Sequence, residues 1–241
     1  MQQDTLLKAL TKAGIGSRRR LANAILEGRV TLNGAPVDNF LHLVNLGSDI
    51  IQVDGKPVNL KPIGKIVLML NKPAGFLSTT QDESGRKTVI DLIPAKYLAF
   101  KLYPVGRLDK DSTGLLLLTN DGELTYRLTH PKFEHEKEYL VSTPVKLTQE
   151  ERQRIERGIE LEDGTTYPAQ IKESKINRIF EYSITIHEGR KRQLRRMFAK
   201  LGINLISLKR IRIGKLKLGN LKEGETRELS PSEIVKLFQK D

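Results

Sequence analysis

The stretch Val105-Gly106-Arg107-Leu108-Asp109-Lys110-Asp111-Ser112-Thr113-Gly114-Leu115-Leu116-Leu117-Leu118-Thr119-Asn120-Asp121-Gly122 decides the fold. Four consecutive leucines closed by a threonine are too short for a buried helix and read as a strand, Leu115 to Thr119. The Ser112-Thr113-Gly114 segment before it is turn chemistry, and Asn120 after it is placed to cap a helix with Glu123 as box partner. Upstream, Ile66 to Leu70 is a second apolar strand, followed by a turn at Asn71-Lys72-Pro73-Ala74-Gly75. Downstream, Lys137 to Ser142 alternates so that Tyr139 and Val141 share a face, and Phe180, Tyr182, Ile184 and Ile186 do the same. The chain then turns at Glu188-Gly189 into a helix with the apolar stripe Leu194, Met197, Phe198 and Leu201. Ser230-Pro231-Ser232-Glu233 opens a last helix with a capping box. Strands and helices mix without regular alternation. This predicts an α+β domain over 65–241, with a mixed, largely antiparallel sheet flanked by helices.

The N-terminal segment reads helix, turn, helix, hairpin and predicts a small α/β domain over 1–60. Leu6, Leu7 and Leu10 mark the first helix, Gly14 and Gly16 break it, and Ser17 caps a second helix that ends at Gly28. Asn33-Gly34 and Asp54-Gly55, each between short β-prone runs, predict two hairpins with primed turns. Leu60-Lys61-Pro62-Ile63-Gly64 breaks both periodicities and marks the boundary.

Charge points to the partner. Over 241 residues, 41 Lys+Arg stand against 29 Asp+Glu, a net charge of +12. Between Thr185 and Lys217 eleven basic residues accompany one acid, Glu188. A smaller cluster comprises Lys8, Lys12, Arg18, Arg19, Arg20 and Arg29. Basic side chains in the first turn of a helix oppose its dipole, a local cost that makes sense where phosphates dock. Nucleic acid is therefore the leading partner class, ahead of an acidic membrane surface.

Other chemistries fall away. With no cysteine, disulfide frameworks, thiolate metal sites and cysteine nucleophiles are out. No phosphate loop and no strand-linked GxGxxG occurs, so no nucleotide cofactor is expected. His42, His130, His135 and His187 form no ligand spacing, so no metal is expected. The longest apolar runs fall far short of the ~20 residues a membrane span needs. A soluble, cytoplasmic, monomeric protein acting without cofactor is expected. Carboxylates remain: Asp109, Asp111 and Asp121 flank the leucine strand. Each reads individually as a turn or cap residue. Asp109, between an ordered strand end and a rigid Ser-Thr-Gly turn, is also placed to serve as nucleophile or base if a cation faces it.

The Gly106 to Gly122 stretch resembles the catalytic motif of ribosomal-RNA pseudouridine synthases, the group that modifies small- and large-subunit rRNA at single sites. Asn71 to Gly75, Glu138-Tyr139 and Glu188 to Met197 resemble its other motifs in the expected order. Ser17-Arg18-Arg19, Gly28-Arg29-Val30 and Leu32-Asn33-Gly34 resemble the small RNA-binding domain of the S-four ribosomal-protein type. The resemblance implies that Asp109 is the nucleophile, that Tyr139 stacks on the target uracil, that Arg195 pairs with Asp109, and that Arg107 holds the flipped nucleotide or fills its place. Leu194 is implied as a further substrate contact. RNA contacts are implied at Lys12, Ser17, Arg18, Arg19, Arg20, Arg29, Asn33, Lys72, Arg190, Arg192 and Arg196. Ser112 stands where the family more often has threonine. Arg192 replaces the histidine of one branch and favours the single-site rRNA branch. Isomerising uridine adds no group and changes no oxidation state; it calls for a carboxylate, a flat partner for the extruded base and cations for phosphates. Two other readings use the same residues: a non-catalytic rRNA-binding assembly factor, and a metal-dependent nuclease with Asp109, Asp111 and Asp121 as ligands.

Overall fold

The computed structural model describes residues 3–176 and 180–239, and the chain divides into two compact units, Met1–Gly64 and Lys65–Asp241. In the first, β1 (Gln3–Thr5), α1 (Leu6–Lys12), α2 (Arg18–Leu26), β2 (Val30–Leu32), β3 (Ala35–Pro36), β4 (Leu43–Asn45), β5 (Ile51–Val53) and β6 (Lys56–Pro57) follow in order. Strands β3-β2-β5-β6 form one sheet and β1 pairs with β4. Leu6, Leu10, Leu21, Ile25, Val30 and Ile51 close the core between helices and sheet. Ser17 caps α2 by accepting from the Arg20 amide. Both hairpin turns hold two successive left-handed residues, Asn33 and Gly34 (φ 51° and 86°) and Asp54 and Gly55 (φ 52° and 72°), as primed turns require.

The second unit is built on a nine-stranded sheet. Its elements are β7 (Val67–Lys72), β8 (Tyr103–Val105), β9 (Thr113–Thr119), α3 (Gly122–Thr129), β10 (Lys137–Thr143), α4 (Gln149–Arg157), β11 (Glu160–Leu161), β12 (Gly164–Thr165), β13 (Gln170–Ile176), β14 (Phe180–Ile186), α5 (Gln193–Ala199), β15 (Ser207–Ile213), β16 (Leu216–Lys217), β17 (Thr226–Glu228) and α6 (Pro231–Lys236). The main order is β13-β14-β10-β15-β9-β7-β17, with β16 beside β15 and β8 beside β9. Only β15 with β9 is parallel among these pairs. Strand β9 is buried on both faces, which is why its leucines run unbroken. Leu116 and Leu118 join Leu68, Leu70, Val141, Tyr182, Ile184 and the α5 residues Met197 and Phe198 in one core. Leu115 and Leu117 face the opposite way, onto Leu124 and Leu128 of α3 and Leu237.

Three local expectations need correction. The strand starts at Thr113, so Gly114 lies inside it, not in a turn. Gly114 has φ 100°, and a Cβ there would sit 2.2 Å from the Arg210 carbonyl oxygen across the parallel pairing. The cap of α3 is Asp121, which accepts from the Glu123 and Leu124 amides; the Asn120 side chain instead accepts from the Ile66 amide. Strand β7 continues through Asn71 and Lys72, both buried, because they pair with Leu115 and Gly114 of β9.

Candidate active site

Asp109 lies on the loop between β8 and β9, and the structure pins that loop at alternate residues. The Ser78 hydroxyl accepts from the Leu108 amide (3.1 Å) and donates to the Leu108 carbonyl (2.9 Å). The Gly75 amide donates to the Lys110 carbonyl at 2.8 Å. The Lys72 ammonium donates to the carbonyls of Pro73 (3.0 Å), Lys110 (3.3 Å) and Ser112 (2.8 Å). Fixing positions 108, 110 and 112 leaves the carboxylates of Asp109 and Asp111 partly open, at 31% and 49% exposure. Ser78 escaped the sequence reading because a lone serine in an irregular stretch carries no pattern.

Lys72 was expected to touch RNA. It is fully buried, and its three donors are used by backbone carbonyls, so its charge holds the loop together. Burial pushes its pKa down to about 8 against the upward pull of Asp111 and Asp109. The unfolded chain keeps this proton up to the ordinary value of 10.5, so above pH 8 the unfolded state binds more protons than the folded one. The contribution of Lys72 to stability therefore rises with pH over that window. Lys137, held at about 8 mainly by burial and also by Arg210, acts in the same direction. Urea unfolding from about pH 8 to about pH 9.5 is expected to show rising stability, with a smaller rise in Lys72→Met. An equal rise in both proteins would remove Lys72 as a cause.

The cations are arranged differently from the implied pairing. Arg195 meets Asp111, not Asp109. Its Nη2 lies 3.2 Å from Asp111 Oδ2, donates to the Asp111 carbonyl at 3.1 Å, and lies 3.5 Å from Ser112 Oγ. The guanidinium nearest Asp109 belongs to Arg192, at 3.9 Å from Oδ2. Arg192 occupies the left-handed region (φ 50°) at the N-cap of α5, and its side chain reaches the loop from there. It also donates to both Asp111 oxygens at 3.2 Å each. Burial alone would raise the pKa of Asp111, but the hydrogen bond from Arg192 and the charges of Arg195 and Arg192 outweigh it and hold the carboxyl below its ordinary value.

Tyr139 and Leu194 are both nearly buried and share one core with Leu108, the residue before Asp109. Arg107 is exposed, with no partner among the described residues. Arg190 and Arg196 were expected to face RNA, but their guanidinium groups are engaged within the protein. Arg190 donates to the carbonyls of Asp163, Gly164 and Thr165 and to the Glu188 carboxylate; Arg196 forms a fork on Asp163 at 2.9 and 3.0 Å. They fasten the β11–β12 hairpin to α5. Arg210, one of the basic residues counted between Thr185 and Lys217, is buried, with its Nε donating to the Leu115 carbonyl.

In the first unit Lys12 pairs with Asp4 (2.7 Å), Arg29 pairs with Glu27 (2.8 Å) and Asp54 (2.6 Å), and Asn33 bonds Asp49 and the Ile50 amide. The guanidinium groups of Arg18, Arg19 and Arg20 are exposed and unpartnered among the described residues. Asp121, besides capping α3, pairs with Lys65 at 2.8 Å. Among the described residues no group of three His, Asp or Glu could hold a metal ion, so the carboxylate trio of the nuclease reading does not assemble. No helix among them is long and apolar enough to cross a membrane.

Comparison with known proteins adds a family. Residues 66–200, more than half of the chain, match the model described as RNA pseudouridylate synthase. A Bacillus subtilis protein named ribosomal large subunit pseudouridine synthase B is 42% identical over 237 residues, covering 97% of this chain and 95% of that protein. An uncharacterized RNA pseudouridine synthase of Aquifex aeolicus is 43% identical over 244 residues, covering 99% and 95%. A crystal structure of a pseudouridylate synthase superposes with a TM-score of 0.69 at 34% identity, covering 97% of this chain and 99% of that one.

Proposed function

The chain belongs to the RNA pseudouridine synthase family, and from that premise we propose that it isomerises one specific uridine of ribosomal RNA, with Asp109 as the nucleophile. The observation that carries this reading is the pinned loop. Three anchors at alternate residues hold Asp109 beside Arg192, and the preceding Leu108 packs in the same core as Tyr139. The reaction breaks the bond between sugar C1′ and base N1, turns the uracil and joins C5 to C1′. The proton lost from C5 balances the one gained at N1. That stoichiometry requires neither metal nor cofactor. Tyr139 supplies the flat face for the extruded base; such stacking is worth ~1–3 kcal/mol and offsets much of the cost of unstacking. Arg107, exposed and unpaired among the described residues, contacts the nucleotide or fills the gap it leaves. The large-subunit RNA is the favoured substrate, by similarity to the Bacillus protein. The protein acts as a monomer in the cytoplasm, where ribosomes assemble.

The test is a pseudouridine map of ribosomal RNA incubated with and without the protein; a map without any new site would end the proposal. Activity is expected to persist in excess EDTA, and complete loss there would overturn the metal-free reaction.

The first unit is read as an RNA-binding domain of the S-four type, on the strength of the three exposed arginines that open α2, unpartnered among the described residues. Each phosphate contact contributes about 0.7–0.9 to the slope of log K against log salt, so changing Arg18, Arg19 and Arg20 together to alanine is expected to flatten that slope by about 2. An unchanged slope would mean that this helix end touches no phosphate.

A further inference from the structure

Asp111 is the meeting point of two arginines that hold it in different ways. Arg195 is anchored to the loop independently of the Asp111 side chain, through the Asp111 carbonyl at 3.1 Å. Arg192 has no such anchor. Among the described residues its guanidinium meets only the Asp111 carboxylate, in a fork at 3.2 Å on both arms, and Asp109 at 3.9 Å. This fork is longer than that of Arg196 on Asp163 at 2.9 and 3.0 Å, and its arginine is more exposed, 44% against 29%, while the two carboxylates are about equally open at 49% and 48%. Arg192 also departs from helical backbone, taking φ 50° at the start of α5.

We propose that in the free protein the Asp111 carboxylate stands in for a phosphate of the RNA strand, and that Arg192 passes its two-pronged grip from Asp111 to that phosphate when RNA binds. This rests on the reading of the Asp109 loop as the uridine site. A guanidinium fork accepts carboxylate and phosphate oxygens with the same pair of parallel hydrogen bonds. An ion pair open to water on both sides is weak, screened by salt, and readily exchanged. Arg192 lies within reach of Asp109, so the phosphate it takes is one flanking the nucleotide at that carboxylate. Asp111 then does two things. It keeps the fork aimed at the loop before RNA arrives, and it competes with every phosphate that approaches, which selects for strands making further contacts. No covalent bond changes; only the ionic partner does.

Asp111→Asn removes the competing charge and keeps the shape. With the full chain and an oligouridylate of about a dozen nucleotides as probe, a length matched to known single-strand site sizes, direct titration reads the effect. The variant is expected to bind about two- to five-fold more tightly, the range expected for releasing one exposed ion pair. Its slope of log K against log salt is expected to match that of the native protein, because Arg192 holds the same phosphate in both complexes. The gain should be largely lost in the Arg192→Gln background, since the Asp111 carboxylate then meets only Arg195, which the Asp111 carbonyl keeps in place. Unchanged or weaker binding by Asp111→Asn would make Asp111 a permanent clamp between α5 and the loop and overturn the proposal. The native protein gives an independent measurement if the variant is unstable. Nitrogen NMR of labelled arginine side chains should show Arg192 moving on addition of the oligouridylate while Arg196 stays, and an unmoved Arg192 overturns the proposal equally. Mapping pseudouridine in ribosomal RNA with the native protein separates the two failures. If no uridine is converted, the assignment of the site falls; if conversion occurs without the affinity gain, only the exchange at Asp111 falls.

Discussion

Asp109→Asn is expected to abolish pseudouridine formation, with a loss on the order of 10⁴-fold or more, the scale seen when a nucleophile is removed from an enzyme that depends on it. Asparagine is nearly isosteric, and the loop does not rely on the Asp109 side chain for its shape. The anchors are at Leu108, Lys110 and Ser112, made by Ser78, Gly75 and Lys72. The fold should therefore survive. RNA affinity should stay within a few-fold, because Asp109 meets Arg192 only at 3.9 Å and the substitution removes a negative charge from the path of the phosphates. The measurement is single-turnover conversion of ribosomal RNA together with direct RNA binding. A variant that converts uridine at the native rate would move the chemistry to another group, and a variant that fails to bind would show that Asp109 holds RNA instead of reacting with it.

Gly114→Ala is expected to cost about 4 kcal/mol or more in unfolding free energy, in the range reserved for backbone clashes and overpacked cores. Two penalties coincide at this position. The residue sits at φ 100°, outside the regions open to side-chain-bearing residues, and the new Cβ would meet the Arg210 carbonyl oxygen at 2.2 Å. Neither atom is a flexible side-chain end, so β9 and β15 would have to separate at their parallel pairing, Arg210 with Gly114 and Lys209 with Thr113. That separation lies two residues from Ser112, where Lys72 anchors the loop that carries Asp109. Lost activity should accompany the lost stability. Urea denaturation of both proteins decides the matter: a midpoint shift equivalent to less than about 1 kcal/mol would mean that the strands part cheaply.

Much of the fold can be read from local sequence because local sequence acts through near neighbours. The alternation of Tyr139 and Val141, and of Tyr182, Ile184 and Ile186, follows from the two-residue period of a strand, and the structure buries these side chains in one core. The Asn33-Gly34 and Asp54-Gly55 turns need left-handed backbone, which those residue types accept, and the hairpins form there. The start of β9 at Thr113 is hidden in the sequence for a related reason. Ser-Thr-Gly has the composition of a turn, and nothing near it in sequence reveals that another strand passes against the glycine.

The charges divide along the same line. That Asp109 stands on a short ordered loop, and that basic residues crowd the stretch around α5, is written in the sequence itself. Which cation meets which carboxylate is not, because Arg192 and Asp111 are 81 positions apart, and Arg195 and Asp111 are 84. An ion pair depends on distances of a few ångströms, which only the packed sheet and helix supply. The same packing buries Lys72 and binds Arg190 and Arg196 internally, so three basic residues that look alike in sequence to Arg18, Arg19 and Arg20 serve the fold instead. The sequence by itself determined most of the elements and the position of Asp109 on a short loop before β9. The tertiary structure decided which charges are free to meet a ligand, because burial and pairing are properties of contacts between segments far apart in the chain.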